Sequence, residues 1–234
     1  MNPQLLALGG MWYVVFLISL TCHEAAHALV AKLGGDLTAF HGGQVSLNPI
    51  PHMRREPFGT IVVPILSFIL GGWMIGWGSA PYDPIWRQRY PRRAAWMALA
   101  GPLANISLVL LATGAIHVGI QAHILIPPGA ARFTRVVAGA SSGFPEGLAT
   151  FLSILFSLNL LLAAFNLLPI PPLDGNSAVG IFLSEDGARR FATLSRNPSL
   201  AVIGLIICWR IFDYIFHPLF GLALNLLYPG MHYR

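Results

Sequence analysis

Residues 17–33 read LISLTCHEAAHALVAKL, an apolar segment interrupted by two histidines and a glutamate. Extended upstream to residue 5, the run is long enough to cross a hydrocarbon core, which takes about 20 helical residues. Ionisable groups in such a helix are costly unless paired or metal-bound, and where they occur they mark function. Fold class and chemistry are therefore read from the same short stretch.

The rest of the chain fits a membrane setting. Of 234 residues, 55% are hydrophobic and 10% charged, against about 25% charged in soluble domains. Apolar runs lie at 5–32, 58–78, 94–118, 149–170 and 199–228. They predict an all-α polytopic membrane protein with about four to six transmembrane or re-entrant helices, forming a single membrane-embedded domain over residues 1–234. The net charge of +5 comes from basic residues in short connections, where they set orientation; nucleic acid is not an expected partner. Cys22 and Cys208 both fall in apolar runs, so no disulfide framework or paired-cysteine metal site is expected. No positive charge precedes the first run, which is expected to remain as an anchor with its amino terminus outside.

Between the first two runs, the glycine- and proline-containing residues 34–60 include the alternation Gln44, Val45, Ser46, Leu47. This pattern predicts a short membrane-associated strand or β-hairpin. The run at 58–78 is broken by Pro64 and ends in GGWMIGWGSAP. Lys32, Arg54 and Arg55 lie before it and Arg87, Arg89, Arg92 and Arg93 after it, so positive-inside counting puts both flanks in the cytoplasm. One crossing cannot join two cytoplasmic connections, which favours a segment that dips in and returns. Residues 119–148, with PPGAARF and GASSGFPEG, read as loop.

His23 and His27, four residues apart, lie one above the other on a helix face and can grip one metal ion. Glu24 sits about 100° around the helix, beside that metal. In this H-E-x-x-H arrangement the imidazoles bind zinc and the glutamate takes a proton from the attacking water. A catalytic zinc needs a third protein ligand. Metzincins continue to a third histidine, but positions 30 and 33 are Val30 and Leu33. Glu56 lies in a charged connection and is a poor candidate. Asp213 has Arg210 and His217 one turn away on either side, which suits a helix-face ion pair. Asp174 follows three prolines in FNLLPIPPLDGNSAVG, residues 165–180. Prolines hold the chain extended, so this carboxylate can project from a helix end towards another helix. His41, His52, His117, His123 and His232 show no ligand spacing and are given no role.

Four stretches, HEAAH (23–27), GGQVSLNPIPHMRREPFGT (42–60), AGPLAN (100–105) and NLLPIPPLDG (166–175), together resemble the site-2 protease family of intramembrane zinc metalloproteases. The resemblance implies His23, His27 and Asp174 as ligands of one zinc ion and Glu24 as general base. It further implies that Asn166 helps to hold or polarise substrate backbone, and that residues 37–47 form a β-loop able to pair with an unwound substrate. Gly101 and Asn105 share a helix face, and Asn105 is expected beside the active site as a second substrate contact. The implied partners are the lipid bilayer and transmembrane protein substrates, the latter cleaved near their cytosolic ends, for a multi-pass protein of the cell membrane. MRRE at 53–56 departs from the family pattern, which usually has an acidic residue there, and neither a PDZ insertion nor a C-terminal nucleotide-sensing module is expected. Two rival readings remain. A transporter or metal-ion carrier would use the same His/Asp cluster but leave Glu24 idle; an inactive binding protein would have no need of an intact HEAAH.

If the first helix runs outside to inside, the zinc motif lies in the inner half of the bilayer. With 58–78 re-entrant, Gly101, Asn105 and Asp174 arrive at that same depth.

Overall fold

A computed structural model of the chain describes residues 3–195, 197–231 and 233. Helix α1 (Pro3–Leu33) is followed by two short helices, α2 (Thr38–His41) and α3 (Pro49–Arg55). A π-helical turn at Phe58–Val62 leads into α4 (Val63–Gly71), and α5 (Pro84–Arg89) precedes the long α6 (Pro91–Gln121). Strands β1 (Leu125–Ile126) and β2 (Ala138–Gly139) interrupt the next connection. The chain continues through α7 (Phe144–Asn166), α8 (Asp174–Ala178), α9 (Glu185–Leu194) and α10 (Pro198–Leu227). Among the described residues, α1, α6, α7 and α10 are long and apolar enough to cross a membrane, and the chain is an integral multi-pass membrane protein.

Local chemistry sets the helix starts. Proline occupies the first turn of α3, α5, α6, α7 and α10, where its missing N–H costs nothing. Asn48, Asp83 and Asn197 cap α3, α5 and α10, each accepting a hydrogen bond from the amide two residues on. Helices α1, α6 and α7 form the central bundle. Trp12, Val15, Phe16 and Leu20 of α1 pack with Ile154 and Leu158 of α7. Ala112 and Ile116 of α6 pack with Leu152 and Phe156 of α7, beneath Leu125 and Val137. Helix α10 lies against this bundle and is far less covered: 17% of its most apolar window is buried, against 50% for α7.

The segment 58–78 enters and returns. Helix α4 ends where Gly72 adopts φ +76°, a left-handed conformation that glycine takes without strain. The amide of Trp77 then donates to the carbonyl of Gly59 at 3.1 Å. The return limb has neither helix nor strand: it bends at Gly72 and Trp73 and is held to α4 by the bond from the Ile75 amide to the Ser67 hydroxyl. Close packing of the two limbs requires glycine at two positions. A Cβ on Gly59 would strike the Trp77 carbonyl, and one on Gly76 would strike the Gly59 carbonyl and the Phe16 ring. The flanking connections are tied to each other: Gln44 donates to the Ser79 carbonyl, the Asp83 amide to Asp36, and Trp86 Nε1 and Arg93 to the Gly34 carbonyl. Both therefore lie at the same end of the bundle, as the charge pattern predicted.

The short β-hairpin is found elsewhere than at 37–47. Asp36 Oδ1 accepts from both the amide and the hydroxyl of Thr38, which starts the helical turn α2, and Gly43 (φ +73°) reverses the chain. Gln44 is buried by its bond to Ser79 while Leu47 is 72% exposed, so the alternation reflects a loop pinned by side chains and has no partner strand. The antiparallel hairpin is β1 with β2, Leu125 opposite Gly139, in the connection read as loop.

Topology reporters fused after Lys32 and after Arg89 are expected to give the same cytoplasmic signal. An extracytoplasmic signal after Arg89 would mean that 58–78 crosses the bilayer.

Candidate metal centre

The histidines of α1 face α6 where the two helices cross at Gly101. A Cβ at that position would collide with the Nε2 atoms of both His23 and His27, so the rings reach their positions because this residue has no side chain. The two Nε2 atoms are 3.0 Å apart. Asp174 Oδ2 lies 3.0 Å from the first and 3.2 Å from the second. Donor atoms about 2.0–2.1 Å from a tetrahedral zinc stand about 3.3 Å from one another. The three atoms are thus spaced as three corners of such a site, with a donor set of two imidazoles and a carboxylate that suits zinc.

Asp174 is brought there by the end of α7. Beyond Asn166 the prolines at 169, 171 and 172 prevent the helix from continuing, and the chain turns so that Asp174 opens α8. Gly175 is wedged against the end of α7, where a Cβ would overlap the Leu167 carbonyl. Arg87 holds α8 from the other side by donating to Ser177 and to the Tyr82 hydroxyl.

The second nitrogen of each ring decides which nitrogen is free for a metal. His27 Nδ1 is 2.7 Å from the Met97 carbonyl, which can only accept, so Nδ1 carries the proton and Nε2 presents its lone pair. His23 Nδ1 is 2.6 Å from Asn105 Oδ1, and the orientation of that amide follows from a chain of buried bonds. The Ser19 hydroxyl donates to the Val15 carbonyl and accepts from Asn159 Nδ2, which also donates to the Leu155 carbonyl. Asn159 must then turn its oxygen to Asn105, whose Nδ2 donates to it at 2.8 Å. Asn105 in turn offers its oxygen to His23, fixing the proton on Nδ1 and the lone pair on Nε2. Such outer partners typically hold ligand histidines in a single tautomer.

Glu24 stands apart from this set. It is 5% exposed, yet among the described residues its carboxylate takes part in no hydrogen bond or ion pair. The return limb lies against it: a Cβ on Gly78 would come within 2.8 Å of Glu24 Cγ and 3.0 Å of Oε1. The arrangement thus places three convergent donors beside one uncommitted carboxylate, in a niche closed by glycines on two sides.

The other residues considered from sequence fall as follows. Asn105 is fully buried, with its amide nitrogen and oxygen both engaged inside the protein. Asn166 is half-buried at the end of α7 and donates to the Leu162 carbonyl; it makes no hydrogen bond to the three donors. Glu56 accepts from the Ser79 hydroxyl, which itself accepts from Arg55. Asp213 is exposed, 4.0 Å from His217. His52 is buried against the Ser46 carbonyl, and His232 lies outside the described residues. Asn159 and Ser19 are the participants that sequence reasoning missed. The signal was available for Asn159, an amide inside the apolar run at 149–170, as Asn105 is inside its own run.

Replacing Asn159 with leucine removes the nearer of the two acceptors of the Asn105 amide, at 2.8 Å, and leaves the Ser19 carbonyl at 3.4 Å. Zinc affinity, measured by chelator competition, is expected to fall about 10–100-fold, and the imidazole nitrogen signals of His23 are expected to report mixed tautomers. Unchanged affinity and a single tautomer would show that Asn105 is held without it.

The description Peptidase family M50 matches residues 11–209. YwhC of Bacillus subtilis, provisionally named a zinc metalloprotease, is 32% identical over 88% of this chain and 84% of its own length. Rip2 of Mycobacterium tuberculosis, provisionally named in the same way, is 33% identical over 81% of this chain and 64% of its own length. Rip2 of Mycolicibacterium smegmatis, with the same provisional name, is 31% identical over 82% and 64%. The chain thus spans somewhat under two thirds of the Rip2 relatives. No solved structure matches it significantly. The chain belongs to peptidase family M50, the site-2 protease family, and is a metalloprotease of that family.

Proposed function

We propose that the chain is an intramembrane endopeptidase of the cell membrane, cutting a peptide bond within or near the transmembrane segment of a membrane-protein substrate. In this reading His23, His27 and Asp174 hold one zinc ion and Glu24 is the general base. The observation that carries it is the convergence of two Nε2 lone pairs and one carboxylate oxygen beside an uncommitted glutamate, inside membrane-spanning helix. When bound, zinc lowers the pKa of a water to about 7 and polarises the scissile carbonyl.

The residues of the chain divide the remaining work. Glu24, free of protein partners, takes the proton of the attacking water and delivers it to the leaving amine, as a positioned carboxylate does in general acid–base catalysis. The imidazoles, locked in the Nδ1–H tautomer by Met97 and Asn105, keep their basic nitrogens on the metal. Asn105 acts by orienting His23, which leaves Asn166 as the amide for substrate backbone. A helical substrate shields its peptide bonds in its own hydrogen bonds and must unwind before attack. The return limb that follows Gly72, passing Glu24 at Gly78, supplies the backbone edge for the unwound strand, in place of residues 37–47. A metal-ion carrier would use the same three donors and give Glu24 no task, so the glutamate separates the two readings.

Purified protein in detergent, assayed on a generic transmembrane substrate, provides the test. Glu24→Gln is expected to lower cleavage by about 10²–10⁴-fold while zinc content stays near one per chain. Asp174→Ala is expected to lose zinc and activity together, whereas Asn166→Ala keeps zinc and loses turnover. Full cleavage by Glu24→Gln would overturn the assignment of the base, and full zinc content in Asp174→Ala that of the ligand.

A further inference from the structure

Helix α10 carries ionisable side chains where nothing in the chain covers them. Arg210 and Asp213 straddle the midpoint of α10, a 30-residue helix long and apolar enough to cross a membrane, and so lie within its spanning length. Asp213 and His217 are more than 80% exposed, as is Tyr214, and Trp209 is 69% exposed. Among the described residues, Arg210 has no ion-pair or hydrogen-bond partner, and Asp213 has only the 4.0 Å approach of His217. Charged side chains at this depth ordinarily face a bundle interior, a wet cavity or a partner. Here they line a shallow surface concavity with Trp209, Tyr214, His217 and Pro218.

The exposed positions follow a seam. Ile203, Ile206, Arg210, Asp213 and His217 are spaced by three and four residues, the repeat by which two helices pack side by side along their length. At 100° per residue this seam points away from Gly204, Cys208 and Phe216, the residues of α10 buried before Pro218; beyond that proline Leu224 and Leu227 are buried instead. Gly204 rests on the Pro171 carbonyl and Ile170, in the loop leading to Asp174. The seam is therefore on the far side of α10 from the metal centre, and a substrate helix seated on it would not reach Glu24.

We propose that this seam is the contact between two copies of the chain, related by a two-fold axis along the membrane normal. Such an axis puts equal residue numbers at equal depth. Arg210 of one protomer then lies three residues, about 4.5 Å in height, from Asp213 of its partner, and the reciprocal pair forms by the same operation. Each aspartate is flanked by two guanidinium groups and each guanidinium by two carboxylates, so four charges neutralise one another away from lipid. An unrelated membrane protein would need its own acid and base at matching depth and order; a second copy supplies both by symmetry. The contact leaves the bundle of α1, α6 and α7 free. It also lies on the helix whose other face supports the Asp174 loop, which places the two sites back to back.

Cysteine cross-linking of the full chain in native membranes, followed by mass measurement in mild detergent, tests the proposal independently of catalysis. Ile206→Cys, on the seam, is expected to cross-link into a two-chain species, and Leu205→Cys, exposed but off the seam, is not. Arg210→Asp or Asp213→Arg alone is expected to lower the two-chain fraction about tenfold, and the double exchange Arg210→Asp with Asp213→Arg to restore it. Zinc content serves as the check that each variant is folded. A chain that runs as a monomer and gives no Ile206→Cys cross-link overturns the proposal. So does a dimer indifferent to the single exchanges, or a different protein cross-linked at residue 206 in place of a second copy.

Discussion

The structure depends on one constraint: His23, Glu24 and His27 are buried in a helix long and apolar enough to cross a membrane. A buried polar group without a partner costs about 2–7 kcal/mol, so every group near this turn of α1 must be accounted for. Several apparently separate features answer that demand. Gly101 brings α6 close enough for the rings to lie against it. The Met97 carbonyl and the Asn105 amide take the two Nδ1–H groups. The prolines after α7 deliver Asp174 from the other side of the bundle. Even Asn159 and Ser19, remote from the reacting atoms, exist as polar residues in apolar helices because Asn105 has an amide to satisfy at its far end.

Glu24, on the same turn, is treated differently. One helix position away from a fully partnered histidine, its carboxylate is left without a hydrogen bond while almost completely covered. The covering is done by Gly78 on the return limb, the smallest surface the chain can present. Ligands and base thus receive opposite treatment from the same fold. The histidines are held by α6, whereas the glutamate faces the glycine-bearing return limb and is bonded to none of it.

Much of this was legible in the residues because the signals were local or chemical. Apolar runs gave the long helices to within a few residues, since a membrane span must be continuous. The i, i+4 histidines and the Pro-Pro-Leu-Asp-Gly turn pointed to the donors that the fold brings together. Arginines and lysine on both flanks of 58–78 anticipated its return, because charge records which side of the membrane a connection occupies. What escaped was non-local. Nothing in residues 37–47 reveals that Asp36 starts a helical turn and holds Asp83, or that Gln44 is pinned by Ser79; alternation alone looked like strand. Likewise Asn105 read as a group facing substrate, since its distance to Asn159, fifty-four positions on, has no sequence signature.

The same accounting, carried to α10, changes the reading of Arg210, Asp213 and His217. In sequence they look like an intrahelical ion pair, and within one helix that is adequate for a surface in water, where such pairs contribute about 0.3–0.5 kcal/mol. On a face turned to lipid it is not adequate, because both charges still lose their hydration and a single neighbour cannot replace it. The histidines of α1 show how this chain can keep ring nitrogens in the membrane: each partner is itself partnered, until the chain of bonds ends on a backbone carbonyl. On α10 the chain of partners stops at the protein surface, and its continuation must come from outside the protomer.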